Sequence, residues 1–152
     1  MNSRAQEIAA ALANVEDRIT KAATAADRNR SDLTLIAVTK TYPASDVQIL
    51  ADLGVSNFGE NRSDEGSEKS EAIAATWHFQ GQIQSNKLKS ITSWASVIHS
   101  LDDPRHFEII EKVAPHPLQI FLQVSLDGAH HRGGAGLEEL HSLASLVEKS
   151  PT

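Results

Sequence analysis

The chain has 152 residues, 14 basic and 20 acidic, with a net charge of −6, 40% apolar residues and no cysteine. That is room for one domain, or a large piece of one, and it excludes a disordered chain, a collagen-like chain, a coiled-coil rod, disulfides and any thiolate chemistry. The acidic balance argues against a surface that wraps nucleic acid; no apolar run approaches the ~18 residues of a membrane span and no secretory signal opens the chain, so a cytoplasmic protein is expected.

Ser3 to Asp27 reads as a helix, with Ile8, Leu12, Val15, Ile19, Ala22 and Ala26 on one stripe. The run Leu33 to Val38 is nearly continuous in apolar residues, as in a strand buried on both faces. Strands and helices then alternate. Ser45 is placed to cap a helix carrying Val47, Leu50 and Leu53, which Gly54 ends. Val55 to Phe58 reads as a strand, Ser63 to Ala75 as a polar helix weakened by Gly66, and Thr76 to Gln80 as a strand. Leu88, Ile91 and Trp94 mark a helix, Val97 to Ser100 a strand, and Asp103-Pro104 a helix start. Leu118 to Leu126 reads as the longest strand; Leu137, Leu140, Ala144 and Val147 form a last amphipathic helix.

A helix followed by five βα units implies a parallel sheet with right-handed crossovers. Two architectures fit, an open doubly wound sheet and part of an eight-unit barrel of about 250 residues; length alone favours the open sheet. In both, ligands bind where the strands end. There the sequence places Lys40, the pair Glu60-Asn61, His78, Ser100 and Ser125. Lys40 either snorkels out of the sheet or presents an amine able to form an imine with a carbonyl. His78 alone reads more readily as a hydrogen-bonded strand residue than as a catalyst. Together the residues suit a polar ligand that carries a carbonyl. The run Gly133 to Gly136 beside Arg132 matches neither a P-loop nor a dinucleotide fingerprint and reads as a flexible loop. His130-His131 has no partner at metal-ligand spacing, and no metal site is expected.

Four motifs occur in order: Leu35 to Thr41 (LIAVTKT), Phe58 to Asn61 (FGEN), Trp77 to Lys87 (WHFQGQIQSNK) and His99 to Asp102 (HSLD). The chain resembles the pyridoxal phosphate homeostasis protein family over essentially its whole length. The resemblance implies an alanine-racemase-like (β/α) barrel of which residues 1–152 form one domain, incomplete at the C-terminal end, with about five of the usual eight βα units. It implies pyridoxal 5′-phosphate (PLP) as cofactor, held as an imine on Lys40, with Asn61, His78, Ser100 and Ser125 around it. The implied role is PLP homeostasis with no established catalytic turnover, with PLP and PLP-dependent apoenzymes as partners. A further C-terminal segment or a second chain is expected to complete the barrel and hold the phosphate. Thr39, Gln80 and Ser125 depart from the family's serine, aliphatic residue and asparagine. Two rival readings stay open: a racemase or decarboxylase-like enzyme, and an interaction module that binds no PLP. The first needs a second acid/base group opposite Lys40, and Tyr42, the sole tyrosine, lies close to Lys40 in sequence.

Overall fold

The computed structural model describes residues 3–129 and 132–150. His130-His131, where no metal site is expected, lies outside the described residues. Among the described residues the α-helices are α1 (Ser3–Ala25), α2 (Ala44–Asp52), α3 (Ser63–Ala72), α4 (Leu88–Trp94), α5 (Pro104–Val113) and α6 (Leu137–Glu148). They alternate with β1 (Ala37–Val38), β2 (Asn57–Glu60), β3 (Thr76–Phe79), β4 (Val97–Leu101) and β5 (Gln119–Leu122). All strand pairs are parallel and the spatial order is the chain order, β1-β2-β3-β4-β5.

That order decides between the two architectures. A doubly wound sheet reverses direction at a switch point and so carries helices on both faces. Here every crossover advances the same way, and right-handed connections then put every helix on one face. The helices accordingly touch in sequence, α1 on α2 through to α5 on α6. The sheet is an arc of a (β/α) barrel, which corrects the preference drawn from length alone.

The core lies between the arc and its helices. Phe58, Trp77, Phe79 and Ile98 project outward from the strands onto Leu88, Ile91, Trp94, Phe107 and Ile110. Phe58 meets Trp77 at a ring separation of 5.4 Å, and Phe79 meets Trp94 edge-on at 6.1 Å. Alternation sends the intervening residues to the inner face, where Val38 and Phe121 stay half exposed.

Several boundaries differ from the sequence reading. Only Ala37 and Val38 of the Leu33 to Val38 run pair as a strand; β2 offers Leu33 to Leu35 no partner before Asn57. The earlier residues are held toward α1 instead: Arg30 donates to the Leu33 carbonyl at 2.6 Å while binding Glu16 on α1. The apolar character of the run therefore reports packing rather than pairing. Helix α2 begins two residues earlier than a Ser45 cap requires, with Pro43 at the N-cap. Gly54 follows α2 with a φ of 96°, a left-handed conformation that suits glycine. After Leu122 the chain stays extended but changes neighbour. Val124 forms a parallel bridge with Ala135, so the expected long strand becomes a short one plus an edge contact.

Candidate functional site

Lys40 follows β1, and its side chain is exposed. No hydrogen bond or ion pair engages its amine among the described residues. The residues around it are, by contrast, closely held. Thr39 is buried and donates its hydroxyl to Glu60 Oε1 at 2.7 Å. Lys69, reaching in from α3, donates to the same Glu60 oxygen at 2.6 Å and to the Thr39 carbonyl at 2.8 Å. The Thr41 N–H donates to Glu65 Oε2 at 2.9 Å, and Thr41 has a φ of 69°. A β-branched residue in the left-handed region is strained, and such strain persists only where its surroundings impose it. The amine is open to water rather than enclosed, because the inner face of the arc carries no covering layer among the described residues.

The other inner-face residues form a row across the sheet. The Asn57 amide nitrogen lies 3.1 Å from Ser56 Oγ, which leaves its carbonyl oxygen 2.9 Å from His78 Nε2. That assigns the His78 proton to Nε2, so Nδ1 accepts from His99 Nε2 at 2.9 Å. His99 in turn stacks on Phe121 at 4.7 Å and 15°. Burial, and secondarily the neighbouring His99, depresses the His78 pKa to about 4; burial also lowers that of His99. His78 is thus a neutral, doubly bonded strand residue. It pairs level with Gly59, and its bond to Asn57 leans toward the start of β2, away from the strand end that carries Lys40.

The remaining expected residues are dispersed among local roles. Asn61 is exposed just after β2 and lines a cavity of about 260 Å³ with Arg62, Gln84 and Lys87. Ser100 is buried, and its hydroxyl donates to the Gly81 carbonyl. Ser125 Oγ accepts from the Gly128 N–H at 3.0 Å and so closes a turn. Tyr42 lines a larger cavity of about 490 Å³ between α1 and β1, with Ile8, Val15, Val38 and Leu50. The stretch before α6 is tied down rather than loose. Gly134 N–H donates to Asp102 Oδ2 at 2.7 Å, Ala135 pairs with Gln123 and Ser125, and Gly136 N–H donates to Glu139.

Sequence reasoning placed Glu60 at a strand end beside Asn61 but did not single out Glu65 or Lys69 as functional. Lys69 lies in a helix so polar that solvation was the natural reading, yet it is buried, as is Glu60. The one available signal was Glu65 four residues before Lys69, a spacing that brings the two together on a helix at 3.5 Å.

An arc of parallel strands in chain order, with a free lysine amine at the end of the first, is the architecture of a racemase-type barrel. The family described as alanine racemase, N-terminal domain, matches residues 11–152, and the chain belongs to that family. The resemblance read from the four motifs is borne out. A Mycobacterium leprae pyridoxal phosphate homeostasis protein is 35% identical over 155 residues, covering 88% of this chain and 60% of the relative. The Escherichia coli K12 protein of the same name is 34% identical over 154 residues, covering 95% and 66%. Among solved structures, an unknown protein from Bifidobacterium adolescentis superposes with a TM-score of 0.88 at 26% identity, over 99% of this chain and 68% of its own. PipY of Synechococcus elongatus, with PLP bound, gives 0.69 at 27% identity, over 80% and 61%. The chain therefore spans about 60% of the length of the first curated relatives it matches.

Proposed function

We propose that this chain binds PLP through Lys40 and serves cytoplasmic PLP homeostasis, as a carrier to PLP-dependent apoenzymes rather than as an enzyme. The observation that carries the reading is the Lys40 amine, exposed and unengaged at the ligand-binding end of a barrel arc, between two peptide groups that are both held in place. The name shared by the relatives and the PLP bound to PipY support it.

The residues present fit the cofactor at its aldehyde. Lys40 would hold the cofactor there, its primary amine being a nucleophile suited to an aldehyde carbon. When bound, PLP supplies an electron sink for carbanions next to an imine. His78 acts as a fixed hydrogen-bonding strut, since both ring nitrogens have partners. Asn61, Ser100 and Ser125 stand at or beyond the ends of neighbouring strands and complete the proposed surroundings.

The test is incubation with PLP, borohydride reduction and peptide mapping. Label on Lys40 that disappears in Lys40→Ala is expected, with a near-ultraviolet to visible band before reduction. Undiminished label in the variant would overturn the assignment. Racemisation of added amino acids by the PLP-loaded chain would overturn the carrier reading in favour of an enzyme.

A further inference from the structure

We propose that Glu65, Lys69 and Glu60 are positioning residues that clamp the two peptide groups flanking Lys40 and so aim its amine. This rests on the reading of Lys40 given above. Three bonds converge on the three residues 39–41. Lys69 Nζ holds the Thr39 carbonyl at 2.8 Å, Glu60 holds the Thr39 hydroxyl at 2.7 Å, and Glu65 holds the Thr41 N–H at 2.9 Å. Lys69 also lies 2.6 Å from Glu60 and 3.5 Å from Glu65, so the clamp is one connected unit.

Packing alone does not account for it. Apolar residues of similar volume hold a helix to a sheet at least as well as a buried ion pair does. Here Glu60 is fully buried, both of its bonds go to one oxygen, and Oε2 has no partner among the described residues. Such an arrangement is a poor stabiliser but a directional one. Its directional product is the turn at Thr41, whose φ of 69° a β-branched residue does not adopt unaided. That turn carries the chain off toward α2, while Lys40 is left projecting at the end of β1. Helix α3 thus serves Lys40 from the opposite side of the strand, without touching the ligand side.

The experiment uses the 152-residue chain with Glu65→Ala and Glu65→Gln. Glutamine keeps an oxygen able to accept from the Thr41 N–H; alanine does not. Two quantities are read: amide exchange at Thr41, and the rate at which borohydride traps PLP on Lys40 relative to exposed Lys21 in the same sample. Glu65→Ala is expected to speed Thr41 exchange and slow Lys40 capture relative to Lys21, each at least tenfold. Glu65→Gln is expected to restore both to within about threefold of the parent. Urea unfolding identifies any variant that has lost its fold; should Glu65→Ala do so, Glu65→Leu, which keeps the volume and removes the acceptor for the Thr41 N–H, replaces it with the same expected loss in capture. An unchanged Lys40-to-Lys21 ratio in a folded variant overturns the clamp alone. A parent chain that captures no PLP at Lys40 overturns the function proposed for Lys40, and the clamp's purpose with it.

Discussion

His78 Nδ1 lies 2.9 Å from His99 Nε2, and the two imidazoles share a single proton between those atoms. Protonating His78 would place a charge in a buried position beside the His99 ring. The consequence is a defined pH dependence. The folded pKa of His78, about 4, lies below the ordinary 6.5, so the unfolded chain binds the proton first. Stability is then fully present above about pH 6.5 and is lost as pH falls toward 4. One pKa unit is worth about 1.4 kcal/mol, and water on the open inner face screens part of it, so a loss of about 1 kcal/mol is expected between pH 7 and 5. Urea unfolding at the two pH values measures it, and His78→Gln should flatten the slope. An equal slope in the variant would assign the effect elsewhere.

Gly66 is expected to resist replacement. On propensity alone, alanine in α3 would gain about 1 kcal/mol. A Cβ there, however, runs into the Trp94 indole, which is itself packed edge-on against Phe79. Overpacking of this kind costs about 1–3 kcal/mol, so Gly66→Ala should lower the unfolding free energy by a net amount of up to about 2 kcal/mol, read as a lower urea midpoint. A raised midpoint would mean that Trp94 yields freely.

The buried pair makes a third case. Lys69→Met leaves Glu60 without its cation and should destabilise the chain by about 3–5 kcal/mol. Adding Glu60→Gln removes the stranded charge yet keeps an acceptor for the Thr39 hydroxyl. The double variant is therefore expected to be more stable than the single one, a coupling that a double-mutant cycle reads directly. Additive losses would show that the two side chains act independently.

PLP retention should be weak. A phosphate seeks free backbone N–H groups, and helix N-termini usually offer them. The N–H of Arg105 at the start of α5 is taken by Asp103 at 2.8 Å, and that of Gly136 before α6 by Glu139 at 2.9 Å. Each charge-assisted bond forgone is worth about 1.5–3 kcal/mol, so two of them amount to at least about a hundredfold in affinity. Dialysis of this chain beside the Escherichia coli relative, followed by absorbance, should show faster loss here. Equal retention would refute the argument.

Periodicity exposed much of this fold in advance. Leu88, Ile91 and Trp94 do form the buried face of α4, and Asp103 does cap α5 with Pro104 following. Trp77 and Phe79 point one way and His78 the other, as alternation requires. What stayed illegible depends on neighbours distant in sequence. Whether Leu33 to Leu35 pair is set by where β2 begins; whether Gly66 weakens or permits α3 is set by a tryptophan 28 positions later in the chain. The lysine at the end of β1 was readable from its motif. The buried groups that flank it were not, because charged residues in a polar helix ordinarily face water.

The chain-order sheet has a consequence for biosynthesis. As the polypeptide leaves the ribosome, each new strand finds its only required partner in the strand completed just before it, and each new helix docks beside its immediate predecessor. No early strand waits for a late one within this arc. Assembly can therefore proceed vectorially, one βα unit at a time, with short loops to close and little opportunity for strands to insert in the wrong order.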